Sequence, residues 1–113
     1  MIDDVFCKII KGELGADTVY RDDEVMVVKD IHPQAPVHLL IMPVAHYDGM
    51  ADASAELLGK MAIVAHRIAG EEGLEKGYRL IINEGEHGGK LVPHLHMHLL
   101  GGRKLGPKIV NEG

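Results

Sequence analysis

The sequence predicts an α+β domain: a strongly bent antiparallel sheet of about five strands, one long helix packed on it, and a short N-terminal helix. Three observations carry this. Near the C-terminus, His94-Leu95-His96-Met97-His98-Leu99-Leu100 alternates imidazole and apolar side chains with a period of two, the repeat of an extended strand. Between 53 and 73 the apolar residues recur instead at helical spacing. The other β-rich runs are short and separated by Asp, Pro and Gly, which make turns.

Taken in order, residues 3–12 read as a short helix. An acidic N-cap opens it, Val5, Phe6, Ile9 and Ile10 share one face, and Gly12 stops it. Thr18 to Arg21 and Val25 to Lys29 flank Asp22-Asp23 and suit a hairpin. Val37 to Met42 is a longer strand between Pro36 and Pro43, since proline is tolerated at strand ends. The loop 30–36, pinned by Pro33 and Pro36, is either a rigid connector or a seat for binding groups. There Asp30 offers acceptor oxygens to a ribose, and Ile31 an apolar face to a base.

In the long helix, Leu57, Met61, Val64 and Ile68 form the main stripe. Leu58, Ala62, Ala65 and Ala69 form a second, mostly small stripe beside it, with Glu56, Lys60, Arg67 and Glu71 on the polar side. An arc this wide exceeds one sheet contact. It fits close helix approach across a homodimer, with burial inside a monomer as the alternative. The run 77–83 is a strand whose Leu80-Ile81-Ile82 is continuously apolar, predicting cover on both faces. The loop 84–91 carries Gly85, Gly88 and Gly89, where a phosphate cradle competes with an ordinary turn.

At 113 residues and 12.3 kDa the chain suits a single domain, 1–113, with 104–113 as a short C-terminal tail. One cysteine allows no intrachain disulfide and fits a reducing compartment. No apolar run reaches the roughly 18 residues that cross a bilayer. A cytoplasmic protein without a membrane partner is expected. The formal net charge of -5 argues against a broad nucleic-acid footprint. It leaves room for a mononucleotide whose phosphate is held by N–H groups and imidazoles.

On a strand, His94, His96 and His98 share one face, and Leu95, Met97 and Leu99 the other. The imidazole face admits three readings. It is a solvated or hydrogen-bonded surface, a metal site, or a set of nucleophilic and acid–base groups acting on an anion. Alternate strand residues stand about 6.6 Å apart, so one ion reaches two of them at most.

With Gly88-Gly89 before it and Gly101-Gly102-Arg103 after it, this run resembles the histidine-triad (HIT) superfamily, and within it the HINT branch of purine nucleoside phosphoramidases. Phe6-Cys7-Lys8-Ile9-Ile10, Asp30-Ile31-His32-Pro33-Gln34-Ala35-Pro36-Val37-His38 and Gly77-Tyr78-Arg79-Leu80-Ile81-Ile82-Asn83 extend the likeness over nearly the whole chain. The resemblance implies a hydrolase cleaving the P–N bond of purine nucleoside 5′-phosphoramidates. His96 would attack phosphorus to give a covalent nucleotidyl-histidine, its far N–H held by a backbone carbonyl near His94. His98 would donate to a phosphate oxygen or the leaving atom. His94 and His38 would complete a four-histidine cluster, His38 orienting the rings from a neighbouring strand. The nucleoside would lie against Phe6, Val28, Ile31 and Leu40, with Asp30 on the ribose. Asn83 and the N–H groups from Gly89 through Leu91 to Val92 would hold the phosphate. The resemblance also implies a homodimer paired through the long helix and the 78–83 strand, with the tail near the partner's active site.

The branch commonly reads Gly-Gly-Gln-Ser-Val before the triad, where this chain has Gly88-Gly89-Lys90-Leu91-Val92. Leu91 therefore lacks a hydroxyl assigned to the leaving group, and Lys90 adds a cation expected at the pocket rim. No cofactor is required by the resemblance. Some HIT proteins hold structural zinc through Cys-x-x-Cys, a histidine after the third strand and the first triad histidine. The matching residues are Asp4, Cys7, His46 and His94, and a carboxylate in place of one thiolate disfavours zinc there. His32, His66 and His87 read as surface or supporting residues. Two other functions fit the same residues: dinucleoside polyphosphate hydrolysis, or a nucleotide- or metal-binding interaction module with little turnover.

Overall fold

A central strand, β3 (Val37–Pro43), carries the fold in a computed structural model that describes residues 4–107. Around it run α1 (Val5–Ile10), β1 (Thr18–Arg21), β2 (Val25–Lys29), α2 (Ala55–Glu71), β4 (Tyr78–Ile81) and β5 (Met97–Gly101). Short 3₁₀ turns occupy Met50–Asp52 and Glu86–Gly88. The strands form one five-stranded antiparallel sheet in the order β1-β2-β3-β5-β4.

Local chemistry explains most of the boundaries. Asp4 caps α1 by accepting from the Cys7 N–H at 2.8 Å, and Gly12 follows the helix with φ 81°, a left-handed value that favours glycine. Asp22 Oδ1 accepts from the N–H groups of Glu24 and Val25, both at 2.8 Å, and so turns the β1–β2 hairpin. Ser54 opens α2 through its hydroxyl on the Leu57 N–H, which starts the helix at Ala55 and not at 53. Lys60 reaches from α2 to Asp22 at 3.0 Å and Glu24 at 2.8 Å, tying helix to hairpin.

The period-two alternation sorts the sheet into two cores. Val25, Val27, Leu39, Ile41 and Leu99 face α2 and pack on Leu57, Met61, Val64 and Ile68. Met26, Val28, Leu40 and Met42 face the other way and pack on Phe6 from α1. Fully burying a side chain such as Met61 contributes about 1.5–3 kcal/mol. The second face is only partly covered by the six-residue α1, and the remaining gap becomes the site.

Three expectations need correction. The histidine strand does not begin at His94; regular pairing starts at Met97, opposite Ile41. Two residues further along, where the register would set Leu95 opposite it, Pro43 has no N–H to give a ladder, and the Leu95 N–H turns instead to the Tyr47 carbonyl at 2.6 Å. Leu80, Ile81 and Ile82 are half-buried and not covered on both faces, because β4 lies at the sheet edge. In the small-residue stripe, Ala65 and Ala69 are buried in the chain's own core, whereas Ile63, on another face of α2, is 63% exposed. The expected tail lies outside the described residues from 108 onward.

Candidate active site

Between α1, the 30–36 loop and the loop after β4 lies an open cavity of about 620 Å³. Phe6, Val28, Leu40 and Val92 supply its apolar wall, and Asp30 and Ile31 stand on it from the proline-pinned loop. Asn83, Gly89 and Leu91 line it from the glycine loop, with His96 and His98 beside them. The residues expected around a nucleotide thus meet in one place. His94 does not join them: its ring is fully buried behind Phe6, whose edge packs on His94 with centroids 5.8 Å apart and on His96 at 4.8 Å.

Hydrogen bonds assign the ring tautomers. The His94 carbonyl lies 2.7 Å from His96 Nδ1 and can only accept, so Nδ1 carries the proton and Nε2 keeps its lone pair. The expected acceptor near His94 is His94's own carbonyl. A second chain begins at the Gln34 N–H, which donates to His38 Nδ1 at 3.0 Å. His38 must then bear its proton on Nε2, which donates to His98 Nδ1 at 2.9 Å. That leaves the Nε2–H of His98, which lines the cavity, without an acceptor among the described residues. Asp30 Oδ2 sits 3.4 Å from His38 Nε2 and supports the same arrangement.

The electrostatics keep the His96 and His98 rings uncharged. Burial lowers the proton affinity of His96, against the pull of the His94 carbonyl and with help from the Lys90 charge. Burial likewise pushes His98 down to about 4, reinforced by His96 and His38 and opposed by Asp30. An uncharged imidazole with a bare Nε2 at the edge of an apolar cavity is a nucleophile near neutral pH.

A model of the HIT domain matches residues 11–105. The chain belongs to the HIT domain family. A purine nucleoside phosphoramidase of Escherichia coli (strain K12) is 51% identical over 113 residues, covering 96% of this chain and 95% of that protein. A HIT family hydrolase from Clostridium thermocellum superposes with a TM-score of 0.91 at 46% identity, covering 97% of this chain and 99% of that one. A HIT family hydrolase from Legionella pneumophila gives 0.86 at 45% identity, covering 90% and 95%.

Within this HIT fold, several side chains sit differently from the sequence expectation. The Lys90 ammonium is bonded to the Asp48 carbonyl and does not line the cavity. Leu91 is 93% exposed at the cavity mouth. Asn83 spends one amide N–H on the Gly88 carbonyl at 2.8 Å, bracing the glycine loop as well as lining the cavity. Leu14, Gly15 and Ala16 also line it, as does His32. They follow no periodic pattern: the return of the chain from α1 to β1 brings the first three there, and the 30–36 loop brings His32.

A second group lies directly behind the cavity. One ligand atom each from Asp4, Cys7, His46 and His94 falls within 4.8 Å of the others. His46 Nδ1 is 3.3 Å from Cys7 Sγ, and His94 Nδ1 is 3.5 Å from it. The donor set suits zinc, with two imidazoles, a thiolate and a carboxylate. Among the described residues the buried Asp4 Oδ2 has no hydrogen-bond partner, which fits a carboxylate that can serve a cation. The residues fit.

Proposed function

We propose that the chain hydrolyses the P–N bond of purine nucleoside 5′-phosphoramidates through a covalent nucleotidyl-histidine on His96. The observation that carries this is the tautomer of His96, whose Nδ1–H is tied to the His94 carbonyl at 2.7 Å while Nε2 stays available. The nucleoside packs against Phe6, Val28, Ile31 and Leu40, and Asp30 accepts from the ribose hydroxyls. His96 Nε2 attacks phosphorus, the N–P bond to the ring forms, and the P–N bond of the substrate breaks. The departing nitrogen keeps that electron pair, takes a proton from solvent at the open mouth and leaves as an amine. Water then attacks phosphorus and gives a proton to solvent, the bond from phosphorus to His96 Nε2 breaks with its electron pair returning to the ring, and the nucleoside monophosphate leaves with His96 uncharged again.

His98 donates its Nε2–H to the phosphoryl oxygens or the departing nitrogen, and His38 holds it in that tautomer. Asn83 and the N–H groups between Gly89 and Val92 supply further donors. A fixed donor of this kind is worth about 2.7–4 kcal/mol in a comparable oxyanion site. His94 contributes its carbonyl, not its ring. The reaction itself needs no cofactor. If zinc occupies the Asp4, Cys7, His46 and His94 group, it supplies a structural cross-link there.

Mixing the protein with adenosine 5′-phosphoramidate and following its mass tests the reading. Wild type gains one nucleotidyl group transiently, and His96→Ala does not. Hydrolysis by the variant at the wild-type rate, or none by either protein, defeats it. We also infer a cytoplasmic homodimer paired through α2 and the β4 edge, where Ile63 is exposed and Leu80 and Ile81 are half-buried. Light scattering at the mass of one chain ends that part.

A further inference from the structure

The carbonyl that orients the nucleophile lies outside the sheet ladder. β5 begins at Met97, so His94 is held by other contacts. Its N–H donates to the Val92 carbonyl at 2.8 Å, and the next N–H, on Leu95, goes to Tyr47. Its ring is the remaining anchor. Nε2 faces the Pro43 carbonyl at 3.3 Å, which can only accept, so the proton is on Nε2 and Nδ1 presents a lone pair. His46 is arranged alike: Nε2 faces Asp48 Oδ1 at 2.7 Å, and Nδ1 turns toward Cys7 and Asp4.

Four possible ligand atoms, one from each residue, therefore converge within 4.8 Å of one another. Asp4 Oδ1 lies 3.4 Å from His94 Nδ1, and Asp4 Oδ2 lies 3.4 Å from His46 Nδ1. A cation taken by all four atoms would settle such an arrangement. The four residues come from the start of α1, the loop after β3 and the segment before β5, so one ion there would join all three.

We propose that His94 is a positioning residue: zinc held by Asp4, Cys7, His46 and His94 Nδ1 clamps the His94 main chain, and through its carbonyl sets the aim of the His96 ring. The same ion steadies α1, whose Phe6 packs on His96 at 4.8 Å between centroids. Metal loading and nucleophile alignment are then one equilibrium. The inference rests on His96 being the nucleophile, but its decisive readout does not require turnover.

The experiment uses the full chain, stripped with a chelator and reloaded with one equivalent of zinc. One equivalent matters because Asp30, His38 and His98 also converge closely enough to take an ion. Elemental analysis should give one zinc per chain in wild type and much less in His46→Gln, a residue outside the cavity lining. Nitrogen-15 spectra of the histidine rings should show the His96 Nδ1–H signal sharp and protected with zinc. Stripping should broaden it and speed its exchange, and zinc should restore it in wild type but not in His46→Gln. Turnover should follow, with kcat down about 10-fold and KM little changed. Stripping wild type covers the case in which the variant does not fold. Failure to bind zinc overturns the proposal, as does zinc binding that leaves the His96 signal unmoved. Absent hydrolysis in every sample overturns the proposed activity, while the ring signal still decides the clamp.

Discussion

The two ends of the histidine run carry the same residue at the same spacing, yet they live in different surroundings. At the downstream end, His98 sits in the β3–β5 ladder opposite Leu40, half-buried, with its ring on the cavity and on His38. At the upstream end, His94 lies beyond the ladder, fully buried, with its ring among Asp4, Cys7 and His46. His96 stands between and draws on both. The pattern repeats, and the role changes with the neighbours. A ring that touches the cavity can act on a ligand, whereas a ring on the far side of Phe6 can act only through its main chain.

Breaking the middle of the comparison has the largest effect. His96→Ala should lower kcat on the order of 10⁶-fold, as removal of a nucleophile does elsewhere, with unchanged circular dichroism. Next, His98→Ala should cost about 10²–10³ in kcat, the range for losing one fixed donor, and leave the urea midpoint near wild type. His94→Asn should behave differently. Removing a buried ring strands its partners and costs about 1–3 kcal/mol, read as a lower urea midpoint, with a smaller fall in kcat than His98→Ala. Equal stability losses in the two variants would erase the distinction between the ends.

The smallest effect is on pH. His98 is pushed down to about 4 from an ordinary 6.5, so between those values the unfolded chain binds more protons than the folded one. Its contribution to stability is therefore complete above pH 6.5, falls as pH drops toward 4, and is flat below. Urea midpoints measured across that window should slope more steeply for wild type than for His98→Ala. The acid limb of kcat/KM should also lie below pH 6.5, since burial keeps His96 uncharged.

Much of this was legible before the fold was known. The hairpin at Asp22, the cap at Ser54, the apolar stripe from Leu57 to Ile68 and the strand ended by Pro43 all follow from constraints within a few residues of chain. The resemblance pointed to the residues that line the cavity, because its motifs are read as whole segments. What escaped was non-local. The end of pairing before Met97 depends on which residues of β3 stand opposite, and the one facing Leu95 is Pro43, without an N–H. Lys90 reads as a rim cation until the fold offers it the Asp48 carbonyl.

By itself, then, the order of residues determined the elements, the period-two face and the presence of three imidazoles in a row, since steric preference and hydrogen-bond capping act over a turn or a strand. Only the tertiary structure divided those imidazoles between a cavity and the cluster of Asp4, Cys7 and His46 behind it. Cys7 meets His46 across 39 residues and His94 across 87, and such meetings depend on how the sheet and its helices close on one another.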